Sequence, residues 1–107
     1  MESCAFGVPT ITTSLSGFGM WCKSIGRGKN ISEGVAVVNR TDSNYESVVN
    51  EICDIVLYCA SSQTVDAKPA RQEAKKIASK AAWKNFIKAY EDAFDEALKN
   101  TAKRINA

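Results

Sequence analysis

The 107-residue chain contains no histidine, and this absence excludes several kinds of chemistry at once. Without an imidazole, neither a Ser–His nor a Cys–His nucleophile pair can form within the chain. The four cysteines include no Cys-x-x-Cys pair, so a Cys/His zinc site has no support in the sequence. We expect all four thiols to be free and buried, equivalent to small apolar side chains: Cys4, Cys22, Cys53 and Cys59.

Long apolar runs and an excess of one charge are also missing. No apolar stretch approaches the ~20 residues that a membrane-spanning helix needs, and the N-terminus lacks the basic and apolar regions of a secretory signal. The 14 basic and 12 acidic residues leave a net charge of +2, too balanced to favour nucleic acid or a membrane surface as a partner. The composition is that of a globular domain or part of one, and a cytoplasmic location is the default expectation.

Two short strands are predicted in the first forty residues. The first strand is predicted over residues 9–13, where residues 10–13 form a β-branched run. A short helix, which Glu2 opens and the Gly-Val-Pro of residues 7–9 ends, precedes it. The unbroken apolar run within residues 34–39 indicates a strand buried on both faces, as in parallel sheets. Residues 14–33, which are rich in serine and glycine, are predicted to be an irregular connection.

Three long helices are predicted after the second strand. Residues 45–61 carry apolar side chains at three- and four-residue steps, and residues 61–64 break the pattern. Asp66, with Pro69 close behind, is a plausible start for the second helix, and a change of phase near residues 81–83 separates it from the third. Two strands and three helices cannot close an α/β sandwich, so the pattern predicts the tail of a larger Rossmann-like domain.

Residues 2–19 carry the most specific pattern: Glu-Ser-Cys-Ala-Phe-Gly-Val-Pro-Thr-Ile-Thr-Thr-Ser-Leu-Ser-Gly-Phe-Gly. This stretch resembles the nucleotide-sugar half of UDP-glucose-type glycogen synthases, and residues 34–40 and the Trp83-Lys84 pair with Tyr90 extend the likeness over nearly the whole chain. The resemblance implies an α/β fold, an incomplete C-terminal piece of a Rossmann-like glycosyltransferase domain with about two parallel strands and three long helices. Residues 2–40 would be the donor-side segment and residues 44–105 a helical tail.

The resemblance also implies roles for particular residues. Glu2 matches the second of two glutamates eight positions apart, the one that accepts hydrogen bonds from the ribose hydroxyls of the donor; the first would lie upstream of Met1. The loop beside the donor diphosphate would comprise Thr12, Thr13, Ser14, Ser16 and Gly17. No catalytic residue, metal or cofactor is expected in this chain.

By the same resemblance, the intact enzyme would transfer glucose from UDP-glucose, or from ADP-glucose, to an α-1,4-glucan with retention. We expect the 107 residues alone to be inactive and to self-associate. Eukaryotic members have an arginine-dense helix that receives glucose 6-phosphate, whereas residues 69–80 contain only Arg71 among lysines. We therefore expect no glucose 6-phosphate control, and a bacterial rather than a eukaryotic relative.

Two other interpretations remain open at this stage. The chain could be a helical protein-interaction or oligomerisation module in which the Ser/Gly segment is only a loop. It could also be the tail of another sugar-nucleotide enzyme, of the sucrose or trehalose synthase type. The sequence of residues 12–19, Thr-Thr-Ser-Leu-Ser-Gly-Phe-Gly, favours glycogen synthase over both.

Overall fold

The structure is a computed structural model that describes residues 1–61 and 67–107. The predicted helix start at Asp66 and most of the predicted break at residues 61–64 lie outside the described residues. Single turns of 3₁₀ helix precede β2 and α5, at Ile31–Glu33 and Trp83–Asn85. In chain order the other elements are α1 (Glu2–Ala5), β1 (Thr10–Thr13), α2 (Gly17–Ser24), β2 (Val35–Val38), α3 (Tyr45–Ser61), α4 (Lys68–Lys80) and α5 (Ile87–Ile105).

The two predicted strands form a parallel pair, which confirms an α/β fold with two parallel strands and long helices. Thr10 lies opposite Val35, and the register continues to the ends of both strands. The backbone N–H of Thr10 donates to the Gly34 carbonyl at 3.0 Å, and that of Ser14 donates to the Val38 carbonyl at 2.9 Å. In the described part of the chain β1 pairs on this side only, so its other edge carries unpaired backbone groups.

Strand β2 is the buried strand that its apolar sequence predicts. Val35 and Val38 are fully buried, and Val35 belongs to the main core cluster. Because side chains alternate across a strand, Ala36 faces the opposite side, where it lines a cavity with Ile55 of α3. The outer edge of β2 is also occupied, since the Val37 N–H donates to the carbonyl of Gly28 at 2.8 Å. Both faces and the outer edge of β2 are therefore covered.

The prediction of an irregular connection over residues 14–33 is wrong for its first half. Gly17–Ser24 is an α-helix, and the Ser16 hydroxyl caps it by accepting a hydrogen bond from the Gly19 N–H at 2.9 Å. Glycine has a low helix propensity, which hides this helix in the sequence. The cap and the packing of Gly19 directly against the carbonyl of Thr13 favour the helix at this place.

Helix α3 has the bounds that the sequence predicts, yet it packs on the sheet mainly through its first turns. Val48 is buried, whereas Val56 and Leu57 are more than half exposed. The expectation that all four cysteines are buried is correct for Cys4 and Cys22 and wrong for Cys53 and Cys59, which are exposed on α3. The apolar periodicity of a helix identifies its face, but the burial of that face depends on a neighbour that covers it.

The core lies between β2, α1, α2 and α4. Cys4 and Cys22 pack there with Val35, Ala74 and Ile77. Burial raises the pKa of the Cys22 thiol, and the neighbouring Cys4 adds to the effect, so this thiol stays neutral. The face of α4 that carries Ala74 and Ile77 is therefore a packing face.

A charged cluster joins α4 to the loop before β2. The Glu73 carboxylate lies 2.6 Å from the Lys76 ammonium and 3.3 Å from the Arg27 guanidinium. The hydrogen bond from Lys76 lowers the pKa of Glu73 below its ordinary value of 4.5, with further contributions from the charges of Lys76, Arg27 and Lys80. A lowered folded-state pKa means that this cluster stabilises the fold above the ordinary glutamate pKa and loses its effect as the pH falls through the folded value.

Helix α5 extends away from this core. It packs mainly against the turn Trp83–Asn85, and none of its residues is buried. The radius of gyration is 18.7 Å, against about 13 Å for a compact chain of this length. In residues 1–61 and 67–107 no helix combines the length and apolar character needed to cross a bilayer.

Candidate functional site

The predicted diphosphate-side residues lie where β1 ends and α2 begins. The hydroxyls of Thr12 and Ser16 are 2.8 Å apart, and the Ser16 hydroxyl also donates to the Thr13 carbonyl at 3.0 Å. Gly17 is the first residue of α2 and is exposed, with no atom within 4 Å of the position of a Cβ. All five predicted residues therefore lie at the end of β1 or at the start of α2, around one helix N-terminus.

Ser14 connects this loop to the end of β2. Its N–H donates to the Val38 carbonyl at 2.9 Å, and its hydroxyl accepts from the Arg40 N–H at 3.0 Å. The carboxyl ends of parallel strands meet at one edge of a sheet, which is the usual ligand edge of an α/β fold. The two strand ends thus present their polar groups together.

Arg40 is a cation at this edge that the sequence interpretation did not include among the site residues. Its guanidinium donates to the Asn44 amide oxygen at 3.2 Å and lies 5.7 Å from the centre of the Tyr45 ring. Asn44 in turn accepts from the Thr41 N–H at 2.7 Å and donates to the Asn39 carbonyl at 2.7 Å. The signal was present in the sequence, since Arg40 follows a predicted parallel strand at the same end as Ser14.

Glu2 occupies the first turn of α1 and is exposed. In the described residues its carboxylate makes no side-chain hydrogen bond. Met1 and Phe18 line the same groove, which places the first turns of α1 and α2 beside each other. Glu2 and Gly17 adjoin these two residues in the chain, so the predicted ribose and diphosphate elements lie at one end of the fold.

The groove beside them is aromatic. Its volume is about 400 Å³. The Trp21 ring lies edge-on to the Phe86 ring, with ring centres 6.0 Å apart. The ring centres of Trp83 and Tyr90 are 4.9 Å apart. Trp83 is 60% exposed, so the aromatic stripe that begins here is open to a neighbour. The groove is lined by Met1, Phe18, Trp21, Ala81, Trp83, Phe86 and Tyr90.

Comparison with known families decides among the three interpretations of the sequence. The sequence profile described as glycogen synthase matches residues 1–104, nearly the entire chain. The chain belongs to the glycogen synthase family. Neither the curated proteins nor the solved structures contain a significant match to it.

Membership of the glycogen synthase family confirms the resemblance drawn from residues 2–19 and from the Trp83 region. It implies that the intact enzyme is a glycosyltransferase of glycogen synthesis with a nucleotide-sugar donor and a glucan acceptor. The match extends beyond the parallel strands through α4 and most of α5, so the helical tail also belongs to the family pattern.

Proposed function

We propose that residues 2–40 form one wall of the donor site of a retaining, glycogen synthase-type glucosyltransferase. One observation carries the proposal: the N-terminus of α2 and the polar ends of two parallel strands meet at a single edge of the sheet. A helix N-terminus offers unpaired N–H groups and the positive end of the helix dipole, which together suit a diphosphate.

The hydrogen bonds divide the predicted loop residues into two groups. The Ser16 hydroxyl contacts Thr12, the Thr13 carbonyl and the Gly19 N–H, so its role is to hold the start of α2. The Ser14 hydroxyl accepts from Arg40 and keeps its own proton for donation. Together with the N–H groups of the first turn of α2, Ser14 is therefore the side chain that we assign to the diphosphate oxygens.

Glu2 is proposed to accept hydrogen bonds from the ribose hydroxyls. Its exposure and its place beside the start of α2 leave it open to a ligand at this edge. An ionised carboxylate can accept from both hydroxyls of a vicinal diol, and such charge-assisted bonds are about twice as strong as neutral ones. We assign no residue of this chain to the nucleotide base. The likeness to the family favours UDP-glucose over ADP-glucose as the donor.

Because residues 2–40 are proposed to form one wall of the donor site, the 107-residue chain should bind UDP measurably. Because only one wall is present, we expect weak affinity, with a dissociation constant on the order of 1 mM. Saturation-transfer NMR should show UDP binding more strongly than uridine, since the diphosphate is the part that α2 and Ser14 hold. Ser14→Ala should weaken UDP binding several-fold, and 2′-deoxy-UDP should bind less well than UDP if Glu2 accepts from the diol.

Ser24 provides the matched control for Ser14. It lies in the last turn of α2, and its hydroxyl donates to the Trp21 carbonyl at 2.7 Å, away from the loop. Ser24→Ala should leave UDP binding unchanged. Equal loss in both variants, or equal binding of uridine and UDP, would contradict the assignment.

The isolated chain is expected to transfer no glucose. The proposed roles in this chain are binding roles, and the catalytic glutamate that the family pattern places eight positions before Glu2 is not among the 107 residues. The measurement is incorporation of labelled glucose from UDP-glucose into glycogen by the purified chain. Any incorporation above that of heat-denatured chain would overturn this prediction.

A further inference from the structure

Arg40 is a half-buried cation that has no anionic partner within residues 1–61 and 67–107. The ion pairs found there join other cations to Glu73 and Asp92. Asp42 and Glu46 are the carboxylates closest to Arg40 along the chain, and both are exposed, described residues that do not pair with it. The charge of the Arg40 guanidinium is therefore available to an anion from outside the chain.

Neighbouring side chains hold this guanidinium in place. Its Nη1 donates to the Asn44 amide oxygen at 3.2 Å, and its central carbon lies 5.7 Å from the centre of the Tyr45 ring. The Asn44 side chain is itself fixed, because its oxygen accepts from the Thr41 N–H and its nitrogen donates to the Asn39 carbonyl, each at 2.7 Å. A guanidinium has five N–H donors. The bond to Asn44 uses one of them and leaves four for a ligand.

The backbone of Arg40 places this cation beside the proposed diphosphate site. Its N–H donates to the Ser14 hydroxyl at 3.0 Å. Ser14 and Arg40 follow the ends of β1 and β2, and neighbouring strands lie about 4.8 Å apart, a gap that an arginine side chain spans. The planar fork of N–H donors in a guanidinium fits two oxygens of one phosphate. Arg40 can therefore contact an anion that Ser14 and the first turn of α2 bind.

Two other arginines near the sheet are engaged elsewhere. Arg71 donates to the carbonyl of Gly7 at 3.3 Å, and Gly7 precedes β1, at the amino ends of the strands. The guanidinium of Arg27 lies 3.3 Å from the Glu73 carboxylate, which offsets its charge. Arg40 is therefore the arginine of this core that can serve a phosphate at the carboxyl ends of the strands.

We infer that Arg40 is the cationic contact of the donor diphosphate, an assignment that rests on the donor wall proposed above. Ser14 and the first turn of α2 bind phosphate oxygens, and Arg40 offsets the negative charge of the same group. Asn44 and Tyr45 position the guanidinium at this edge. Because uridine is neutral and UDP is an anion, Arg40 gives the edge a preference for nucleoside diphosphates.

The test compares UDP binding by the 107-residue chain and by its Arg40→Gln variant in NMR titrations. We expect the dissociation constant to rise at least about fivefold, because a charge-assisted contact with phosphate is lost. The hydrogen bond from Arg40 to Ser14 comes from the main chain, so the substitution retains it. The matched control is Arg104→Gln, which removes the same charge from an exposed residue in the last turn of α5 and should bind UDP like the unsubstituted chain. Circular dichroism of each variant shows whether the fold is retained.

Salt dependence gives a second readout, which a purely structural role of Arg40 would not change. Raising the ionic strength from about 0.01 M to about 0.15 M shortens the Debye length from about 30 Å to about 8 Å. This change should weaken UDP binding more in the unsubstituted chain than in Arg40→Gln. Arg40→Lys keeps the charge but lacks the planar fork, so it should keep the salt dependence and bind UDP with intermediate affinity.

The outcomes separate the role of Arg40 from the donor wall itself. Unchanged UDP affinity in Arg40→Gln, equal losses in Arg40→Gln and Arg104→Gln, or equal salt dependence with and without Arg40 would each overturn the assignment. The donor wall would survive these results, because Ser14→Ala tests it separately. If the unsubstituted chain bound UDP no better than uridine, the donor wall would fail, and the role of Arg40 would fail with it.

Discussion

Gly34→Ala is expected to destabilise the fold by about 2–5 kcal/mol. Gly34 has a φ of +91°, a conformation that costs an L-residue about 1–2 kcal/mol. An added Cβ would also lie 2.6 Å from the Ala74 Cα and 2.8 Å from the Glu73 carbonyl carbon, both in the backbone of α4. Overpacking of this kind costs about 1–3 kcal/mol.

These two costs act on the contact between α4 and the turn before β2. The Gly34 carbonyl accepts from the Thr10 N–H at 3.0 Å, so a shift of Gly34 disturbs the strand pair as well. Because small domains have only about 5–15 kcal/mol of stability, we expect the melting temperature to fall by at least about 10 °C. Thermal unfolding followed by circular dichroism is the measurement.

Gly26 supplies the control for this substitution. Its φ of +72° is also positive, but no atom lies within 4 Å of the position of its Cβ. Gly26→Ala should therefore show the cost of the backbone conformation alone, about 1–2 kcal/mol. If the two variants lost the same stability, the close contact of Gly34 with the backbone of α4 would contribute nothing to the stability of the fold.

The sequence predicted best those features that are local in the chain. The bounds of α3 follow from the spacing of Val48, Ile52 and Ile55, and the structure reproduces them. The break between α4 and α5 follows from the change of phase near residues 81–83, although no proline or glycine marks it. The parallel pairing of β2 follows from its unbroken apolar run.

The features that the sequence did not predict depend on tertiary neighbours. Cys53 and Cys59 lie within an apolar helical run and are nevertheless exposed, because α3 packs on the sheet mainly through its first turns. Helix α2 was missed because its stability comes from the Ser16 cap and the close packing of Gly19 rather than from propensity. Arg40 joined the candidate site only when the pairing of β1 and β2 placed it beside Ser14.

The glycines of the candidate site allow its structural and ligand-binding roles to be separated. A Cβ on Gly19 would collide with the Thr13 carbonyl oxygen and lie 2.9 Å from the Ser16 hydroxyl, so α2 would have to move away from the end of β1. The resulting overpacking of about 1–3 kcal/mol and a weakened N-cap worth about 1 kcal/mol exceed the gain of about 1 kcal/mol in helix propensity.

Gly19→Ala should therefore lower both the melting temperature and the affinity for UDP. Gly17→Ala should leave the melting temperature nearly unchanged, since its Cβ would enter open space. The same Cβ would stand beside the N–H groups that we assign to the diphosphate, so UDP affinity should still fall several-fold. Parallel thermal melts and UDP titrations of the two variants give the comparison. If Gly17→Ala bound UDP as well as the unsubstituted chain, the diphosphate would not approach the first turn of α2, and the donor wall would have to lie elsewhere.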